Sequence, residues 1–142
     1  MKKLGPAPPP SSEAAHNVMV ANRGRDTKPG LLLRRALSKS GIHGFRVNYR
    51  IGTTRVDVAF PSKWVAVAVR GCWWHRCPVC RLGVPNTHTG FWERKFALNV
   101  ERDARVRESL RRDGWTLLEF WEHEVERDLP GCVERVQMAL HP

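Results

Sequence analysis

Residues 71–80 constrain the fold of this chain more than any other segment, because they hold three cysteines, a histidine and two adjacent tryptophans. Cys72, Cys77 and Cys80 follow the spacing C-x4-C-x2-C, and three thiolates so placed can close most of a tetrahedral zinc shell. The alternative is that they are ordinary buried thiols. Two neighbouring indoles on a turn pinned by metal ligands are difficult to bury together, so we expect at least one of them to face a partner.

The fourth zinc ligand must come from another part of the chain. The candidates are His75, His88, His123 and Cys132. His123 comes just after a predicted strand, and a strand parallel to the one before Cys72 would end beside the metal loop, so we select His123. Four protein ligands leave no open coordination position, which predicts a structural zinc. Cys132 is then a core residue of the last helix.

The charge of the chain predicts a polyanionic partner. Lys and Arg number 24 against 14 Asp and Glu, a net charge of +10, and this balance is typical of nucleic-acid binders but also of ribosomal and membrane-surface proteins. We find no apolar run suited to a signal peptide or a membrane span, so we expect a cytoplasmic, nucleoid-associated protein without a membrane partner. Reducing conditions there favour thiolate ligands over disulfides.

The pattern of elements predicts one folded domain, residues 16–142, behind a disordered Pro-rich tail over residues 1–15. In order, we predict a helix from a cap at residues 26–29 to Gly41, strands at 45–49, 55–60 and 64–69, a helix at 91–112, a strand at 115–121 and a helix near 130–140. The second helix can cross over between the third strand and a parallel fourth. This order predicts an α/β fold with a mixed central sheet flanked by helices, and the chemistry at one edge of that sheet.

Three polar residues are candidates for catalysis. Asp57 lies in an apolar strand, where a buried carboxylate is costly unless it is paired or binds a metal, so it either faces solvent or binds magnesium. His75 would be held by the zinc-pinned loop, and Asp103 on the long helix could orient it, which would make a general base. The alternative for this pair is an exposed histidine and an ordinary surface charge.

The remaining unusual residues are tryptophans. Trp64, Trp115 and Trp121, on predicted strands, are assigned to the core. Trp73 and Trp74 of the loop, with Trp92 at the start of the long helix, could instead form a wedge that inserts between base pairs. Unstacking a base step costs free energy, which new stacking and phosphate contacts must offset.

With these residues in place, the chain resembles the very-short-patch-repair (Vsr) endonucleases, a branch of the restriction-endonuclease-like, PD-(D/E)XK superfamily. The likeness runs from about residue 18 to about residue 125. Its motifs read RDTKP at 25–29, GCWWHRC at 71–77, FWERKFALNVERD at 91–103 and GWTLLEFWEHE at 114–124. The resemblance implies a restriction-endonuclease-like fold with a structural zinc site. It also implies a monomeric, magnesium-dependent enzyme that nicks double-stranded DNA 5′ to the thymine of a T:G mismatch.

The resemblance also implies roles for individual residues. Asp57 is similar to the magnesium-binding aspartate, with the main-chain carbonyl of Val69 as a second ligand. His75 is similar to the general base and Asp103 to the acid bonded to it. The implied zinc ligands are those selected above: Cys72, Cys77, Cys80 and His123. The implied DNA contacts are Trp73, Trp74, Trp92 and, from the opposite groove, Met19.

Two residues depart from the pattern of the resembled family. Gly30 replaces a glutamate, which removes a carboxylate that would hold metal-bound water. Arg70 replaces an aspartate or histidine just before the pair Gly71 and Cys72. Its charge would either weaken magnesium binding or clamp the scissile phosphate as a further catalytic residue.

These features leave three hypotheses about function. The first is a zinc-stabilised, magnesium-dependent DNA nickase. The second is a Vsr-like protein that binds DNA but cleaves it weakly, or a nickase with altered lesion or sequence specificity. The third, a zinc-ribbon interaction module without DNA affinity, agrees least with the basic charge.

Overall fold

The computed structural model of the protein describes residues 26–142, so the predicted tail and Met19 lie outside the described residues. The helices and strands are α1 (Lys28–Lys39), β1 (Arg46–Ile51), β2 (Thr54–Phe60), β3 (Val65–Arg70), α2 (Thr89–Arg112), β4 (Thr116–Trp121), α3 (Glu122–Arg127) and α4 (Leu129–Leu140). The predicted elements agree with these to within a few residues, except that α3 was missed. Within this part of the chain no helix is long and apolar enough to span a bilayer.

The four strands form one sheet in the order β1-β2-β3-β4. β2 pairs antiparallel with both β1 and β3, whereas β3 and β4 are parallel, with Val65 opposite Thr116 and Arg70 opposite Trp121. Parallel neighbours need a long crossover connection, which α2 provides. The predicted mixed sheet is confirmed, and the carboxyl ends of β3 and β4 meet at one end of it.

Apolar side chains cover both faces of the sheet. α1 buries Leu33 and Leu37, one turn apart, against Val58 and Val67 on one face, where α4 also packs. α2 covers the other face, where Leu110 is buried in a smaller apolar cluster. Burial of each such aliphatic side chain stabilises the fold by about 1.5–3 kcal/mol. The sheet can therefore hold the residues at its end in fixed positions.

Strands β2 and β3 separate at the middle of β2. Their pairing covers Phe60↔Val65 to Val58↔Val67. Next along β2, the Asp57 side chain replaces the ladder, because its Oδ2 accepts the N–H of Val69 at 2.8 Å. We call this opening between Asp57 and Val69 the strand fork. A carboxylate thus lies where the next backbone partner of β3 would be.

Trp64 does not belong to the core, and that assignment was wrong. It lies in the turn before β3 with φ 56° and is 54% exposed. Its ring contacts Trp115, with 5.2 Å between centroids. The strand pattern extended one residue too far, because a left-handed backbone conformation ends the alternation of side chains there.

Candidate active site and zinc site

The metal loop, residues 71–81, is folded by its own backbone. Cys77 donates its N–H to the carbonyl of Cys72 at 2.9 Å, and Arg81 donates to the carbonyl of Cys77 at 3.0 Å. Glu122, the first residue of α3, adds a bond across the sheet, because its Oε1 accepts the N–H of Cys72 at 3.1 Å. The loop after β3 is therefore tied to the helix after β4.

Three thiols and one imidazole meet where the parallel strands end. Nδ1 of His123 lies 3.4 Å from Sγ of Cys72, 3.6 Å from that of Cys77 and 3.3 Å from that of Cys80. A tetrahedral shell with ordinary Zn–S and Zn–N lengths has sulfur-to-nitrogen edges of about 3.6 Å. The donor set and its spacing therefore fit zinc, and four protein ligands can hold it as a structural ion.

Asp57 lies in the strand fork with its carboxylate largely enclosed. Burial raises its pKa above the ordinary value, although the Val69 N–H and the charge of Arg70 oppose that rise. The second oxygen, Oδ1, faces the first turn of α1, where a β-carbon built on Gly30 would lie 3.7 Å from it. One oxygen is thus fixed by the backbone and the other faces Gly30. Such a carboxylate fits a hard cation such as magnesium, which combines few protein ligands with water.

His75 and Asp103 form a close pair. Nδ1 of His75 lies 2.6 Å from Oδ2 of Asp103. Burial alone would raise the pKa of Asp103, but the hydrogen bond from His75 and the charge of Arg70 hold it below the ordinary value. An ionised carboxylate can only accept, so Nδ1 carries a proton, and in the neutral imidazole Nε2 is then an acceptor.

Charged side chains continue from this pair to the surface. Arg70 places Nη1 3.3 Å from Asp103 and Nη2 3.3 Å from Glu119. Arg107 then binds Glu119 through two nitrogens, at 2.6 and 3.0 Å. We call the row His75, Asp103, Arg70, Glu119 and Arg107 the charge ladder. Sequence reasoning missed Glu119 and Arg107, although a single glutamate inside the apolar strand β4 was a signal.

One cavity of about 360 Å³ lies between the strand fork and the pair of His75 and Asp103. Asp57 from the strand fork and the pair His75 and Asp103 line it, together with the basic residues Arg55, Arg70 and Arg102. A carboxylate for a cation, an imidazole acceptor for a proton and arginines for an anion suit hydrolysis of a phosphodiester.

The tryptophans of the loop pack in an aromatic cluster made of Trp73, Trp74, Trp92 and Phe96. Trp73 is central, with ring centroids 4.8 Å from Trp74, 5.3 Å from Trp92 and 4.9 Å from Phe96. Trp92, which the resemblance implies as a DNA contact, is only 5% exposed and packs beneath the other two. Trp73 and Trp74 are half-buried. The side that this cluster offers to a partner is therefore formed by the two loop tryptophans.

Comparison with known proteins identifies the family. The sequence model of the family described as DNA mismatch endonuclease Vsr matches residues 11–81, which is half of the chain. The chain belongs to the Vsr family. It is therefore a DNA endonuclease.

Individual relatives of this Vsr-family chain agree. The type II nicking enzyme V.NaeI of Lentzea aerocolonigenes is 38% identical over 142 residues, covering 96% of this chain and 82% of the relative. The type II nicking enzyme V.XorIIP of Xanthomonas oryzae pv. oryzae is 30% identical over 133 residues, covering 93% and 96%. The catalytic domain of the homing endonuclease I-Bth0305I has a similar structure, with a TM-score of 0.55 and 17% identity over 80% of this chain and 94% of that domain. This likeness shows that the two proteins share a fold, in agreement with the predicted mixed sheet flanked by helices.

The structure brings the predicted site residues of this Vsr-family member into two adjacent groups. The zinc group is Cys72, Cys77, Cys80 and His123. The cavity group is Asp57, Val69, Arg70, His75 and Asp103. His75 links the two, because it belongs to the metal loop and lines the cavity. Besides the outer charge ladder, sequence reasoning missed Glu122, which adjoined the chosen ligand His123 but was given no role.

Proposed function

We propose that this Vsr-family endonuclease is a magnesium-dependent nickase that cleaves double-stranded DNA 5′ to the thymine of a T:G mismatch. The observation that carries the proposal is the single cavity lined by Asp57, His75 and Asp103. The names of the two nicking relatives support cleavage of one strand, and the family description supports a mismatch as the target. We also propose that it acts as a monomer in the cytoplasm, at the nucleoid, where its substrate lies.

His75 acts as the general base in this proposal. Its Nδ1 proton is held by Asp103 at 2.6 Å, so Nε2 receives the proton that the attacking water loses. As the imidazole gains positive charge, the ionised Asp103 stabilises it without taking the proton. Arg55 and Arg102, which line the same cavity, lie on its walls as cations that can orient the phosphate.

Asp57 and the main-chain carbonyl of Val69 are the proposed magnesium ligands. The N–H and C=O of one strand residue point to the same side, so the carbonyl of Val69 faces the strand fork as its N–H does. When bound there, magnesium supplies Lewis-acid polarisation of the scissile phosphate. The zinc ligands hold the metal loop, and with it His75, at the end of the sheet.

The aromatic cluster is the proposed sensor of the mismatch. Trp73 and Trp74 would insert beside a weak base pair, since a mismatched step costs less to open than a paired one. Trp92 would support them from below. Nε1 of Trp74 is buried with no hydrogen-bond acceptor among residues 26–142, so leaving the cluster would cost this indole no hydrogen bond.

A second candidate is a Vsr-like protein that binds the mismatch but cleaves it weakly. The observation that favours it lies at Gly30, where a glutamate side chain would lie next to Asp57. Without that side chain, Asp57 supplies the one carboxylate that residues 26–142 place in the fork, and burial disfavours its charged form. Both properties weaken a magnesium site.

Strand-specific nicking of an end-labelled duplex with one T:G mismatch tests both candidates. The wild type would be compared with Asp57→Asn and Gly30→Glu, each with magnesium and with EDTA. We expect a magnesium-dependent nick 5′ to the thymine that Asp57→Asn abolishes. A glutamate at 30 is tolerated if Thr27 yields slightly, since Oγ1 lies 3.2 Å from the added β-carbon.

The Gly30→Glu protein separates the candidates. A weak wild-type nick that this substitution raises sharply identifies the second candidate. Efficient wild-type nicking that it leaves unchanged identifies the first. Tight mismatch binding without nicking in every protein would contradict the proposed reaction.

A further inference from the structure

We propose that Arg70 is a positioning residue, which holds Asp103 against His75 and is itself held by Glu119 and Arg107. This inference rests on the proposed function, because it gives the pair His75 and Asp103 a support. It differs from both roles that the sequence left open for Arg70, a repellent of magnesium and a clamp for the scissile phosphate.

The guanidinium of Arg70 pairs with two carboxylates. Nη1 lies 3.3 Å from Oδ1 of Asp103, while the other oxygen of that carboxylate meets His75. Nη2 lies 3.3 Å from Oε1 of Glu119. The guanidinium thus lies between two carboxylates and pairs with the oxygen of Asp103 that does not meet His75.

Burial makes these contacts effective. The side chain of Arg70 is 15% exposed and that of Asp103 10%, so water screens their attraction little. The charge of Arg70, with the hydrogen bond from His75, outweighs burial and keeps the pKa of Asp103 below its ordinary value. The charged residues that act on Asp103 are His75 from the metal loop, Arg70 from β3, and Arg102 and Arg107 from its own helix.

The outer part of the charge ladder fixes Arg70 in turn. Arg107, on α2, binds Glu119 of β4 through two nitrogens. Burial alone would raise the pKa of Glu119, but the bonds from Arg107 and Arg70 hold it below the ordinary value. The ladder joins α2, β3 and β4, and two arginines balance two carboxylates in it. The ladder as a whole therefore carries no net charge, and the two carboxylates offset the positive charge that Arg70 exerts on Asp57.

Glu119 gives the sharpest test, because it does not line the cavity with Asp57 and its ion pair with Arg70 leads towards Asp103. We would compare Glu119→Gln, Arg70→Met, Arg70→Lys and the double variant Glu119→Gln/Arg70→Met with the wild type. Glu101→Gln is the matched control, since Glu101 is 62% exposed on the same helix as Asp103 and also pairs with an arginine. For each full-length protein the readouts are the single-turnover nicking rate at saturating mismatched DNA, the Kd for that DNA and the ¹⁵N shifts of the His75 ring.

We expect Glu119→Gln and Arg70→Met each to slow nicking by about 10- to 100-fold, as loss of an orienting partner does, with Kd within about twofold of wild type. The double variant should be no slower than Arg70→Met, because Glu119 acts through Arg70. Arg70→Lys should recover part of the rate, and Glu101→Gln should match the wild type. The ring shifts should move from a single tautomer with the proton on Nδ1 towards an average of two tautomers.

Other results would overturn the positioning role. A phosphate clamp predicts that Arg70→Met raises Kd, and that Glu119→Gln, which frees Arg70, leaves the rate intact or tightens binding. If Arg70 instead repels magnesium, Arg70→Met should lower the magnesium concentration needed for nicking. The ring shifts need no nicking activity, so unchanged tautomers contradict the positioning role even if the T:G substrate proves wrong. Tautomer changes in a protein that does not nick would contradict only the proposed reaction.

Discussion

Asp57 is held in the strand fork by the N–H of Val69, and burial raises the pKa of its carboxyl. The folded protein therefore binds the proton of Asp57 more tightly than the unfolded chain does. Stability from this residue is greatest below the unfolded pKa and is lost as pH rises through the folded one. At neutral pH burial of this carboxyl therefore destabilises the fold, and such a cost is typical of a residue with a chemical role.

Asp57→Asn should therefore give a protein that does not nick DNA but is more stable at pH 7. The amide oxygen can still accept from Val69, and the buried charge is gone. A tenfold difference in proton affinity between the folded and unfolded chains corresponds to about 1.4 kcal/mol, and about 1 kcal/mol raises Tm by roughly 3 °C in a chain of this size. The gain should disappear below about pH 3.8, the ordinary pKa of the group.

Thermal unfolding between pH 3 and 8, in buffer without magnesium, measures this effect. Asp113→Asn is the matched control, because Asp113 is exposed in the turn after α2. That variant should follow the wild type at every pH. A lower Tm for Asp57→Asn across the range would contradict the cost assigned to the charge.

Sequence patterns predicted those helices and strands whose formation depends on residues close to one another in the chain. The apolar stripe with Leu33 and Leu37 gave α1, and the stop at Gly114, with φ 90°, gave the end of α2. The parallel pairing of β3 and β4 followed from the crossover, and it brought His123 to the cysteines. α3 was missed because six residues are too few to show a helical period.

The strand fork and the charge ladder could not be predicted, because each joins side chains from several elements. Nothing near Asp57 in the sequence shows that β2 leaves β3 there. Nothing near Arg70 shows that Glu119 will lie 3.3 Å away. Sequence spacing identified the candidate catalytic residues. The side chains that hold them in place come from other elements and are seen only in the packed structure.

The metal loop gives a prediction at the scale of the elements. Cys77→Ala should abolish stoichiometric zinc binding, lower Tm and stop nicking, because a buried ligand at the centre of the loop is lost. Cys132→Ala is the matched control, since Cys132 is buried in α4 outside the cluster. Its zinc content should stay at one ion per chain. Equal zinc content in both variants, measured by elemental analysis, would remove Cys77 from the ligand set.

For the molecule as a whole, affinity and discrimination should come from different parts of the surface. A net charge of +10 attracts any duplex through its phosphates, whereas the aromatic cluster at the end of the sheet can respond to a weak base pair. The two contributions differ in salt dependence, since only the phosphate contacts release counterions.

Trp74→Ala should reduce mismatch discrimination with little effect on binding to matched DNA. Loss of one stacked indole costs about 1–3 kcal/mol, so the ratio of the two affinities should fall about tenfold. The slope of log K against log salt should stay the same. Fluorescence anisotropy with matched and T:G duplexes at several salt concentrations gives both quantities.

Trp64→Ala is the matched control for that experiment. Trp64 precedes β3, whereas Trp74 follows it, so the two indoles lie at opposite ends of the strand. The control should keep both the ratio and the slope. Equal losses on matched and mismatched DNA in Trp74→Ala would contradict a sensing role.

The cluster of three thiols and His123 also bears on how a newly made chain becomes active. Cys80 and His123 are 43 residues apart, and all of α2 and β4 lies between them. A bound zinc would thus close a long loop, as a disulfide does in proteins outside the reducing cell interior. In a newly made chain that has not yet acquired zinc, only the hydrogen bonds of the loop backbone and of Glu122 would hold the loop that carries His75. Metal loading would then be the step of maturation that completes the support of His75.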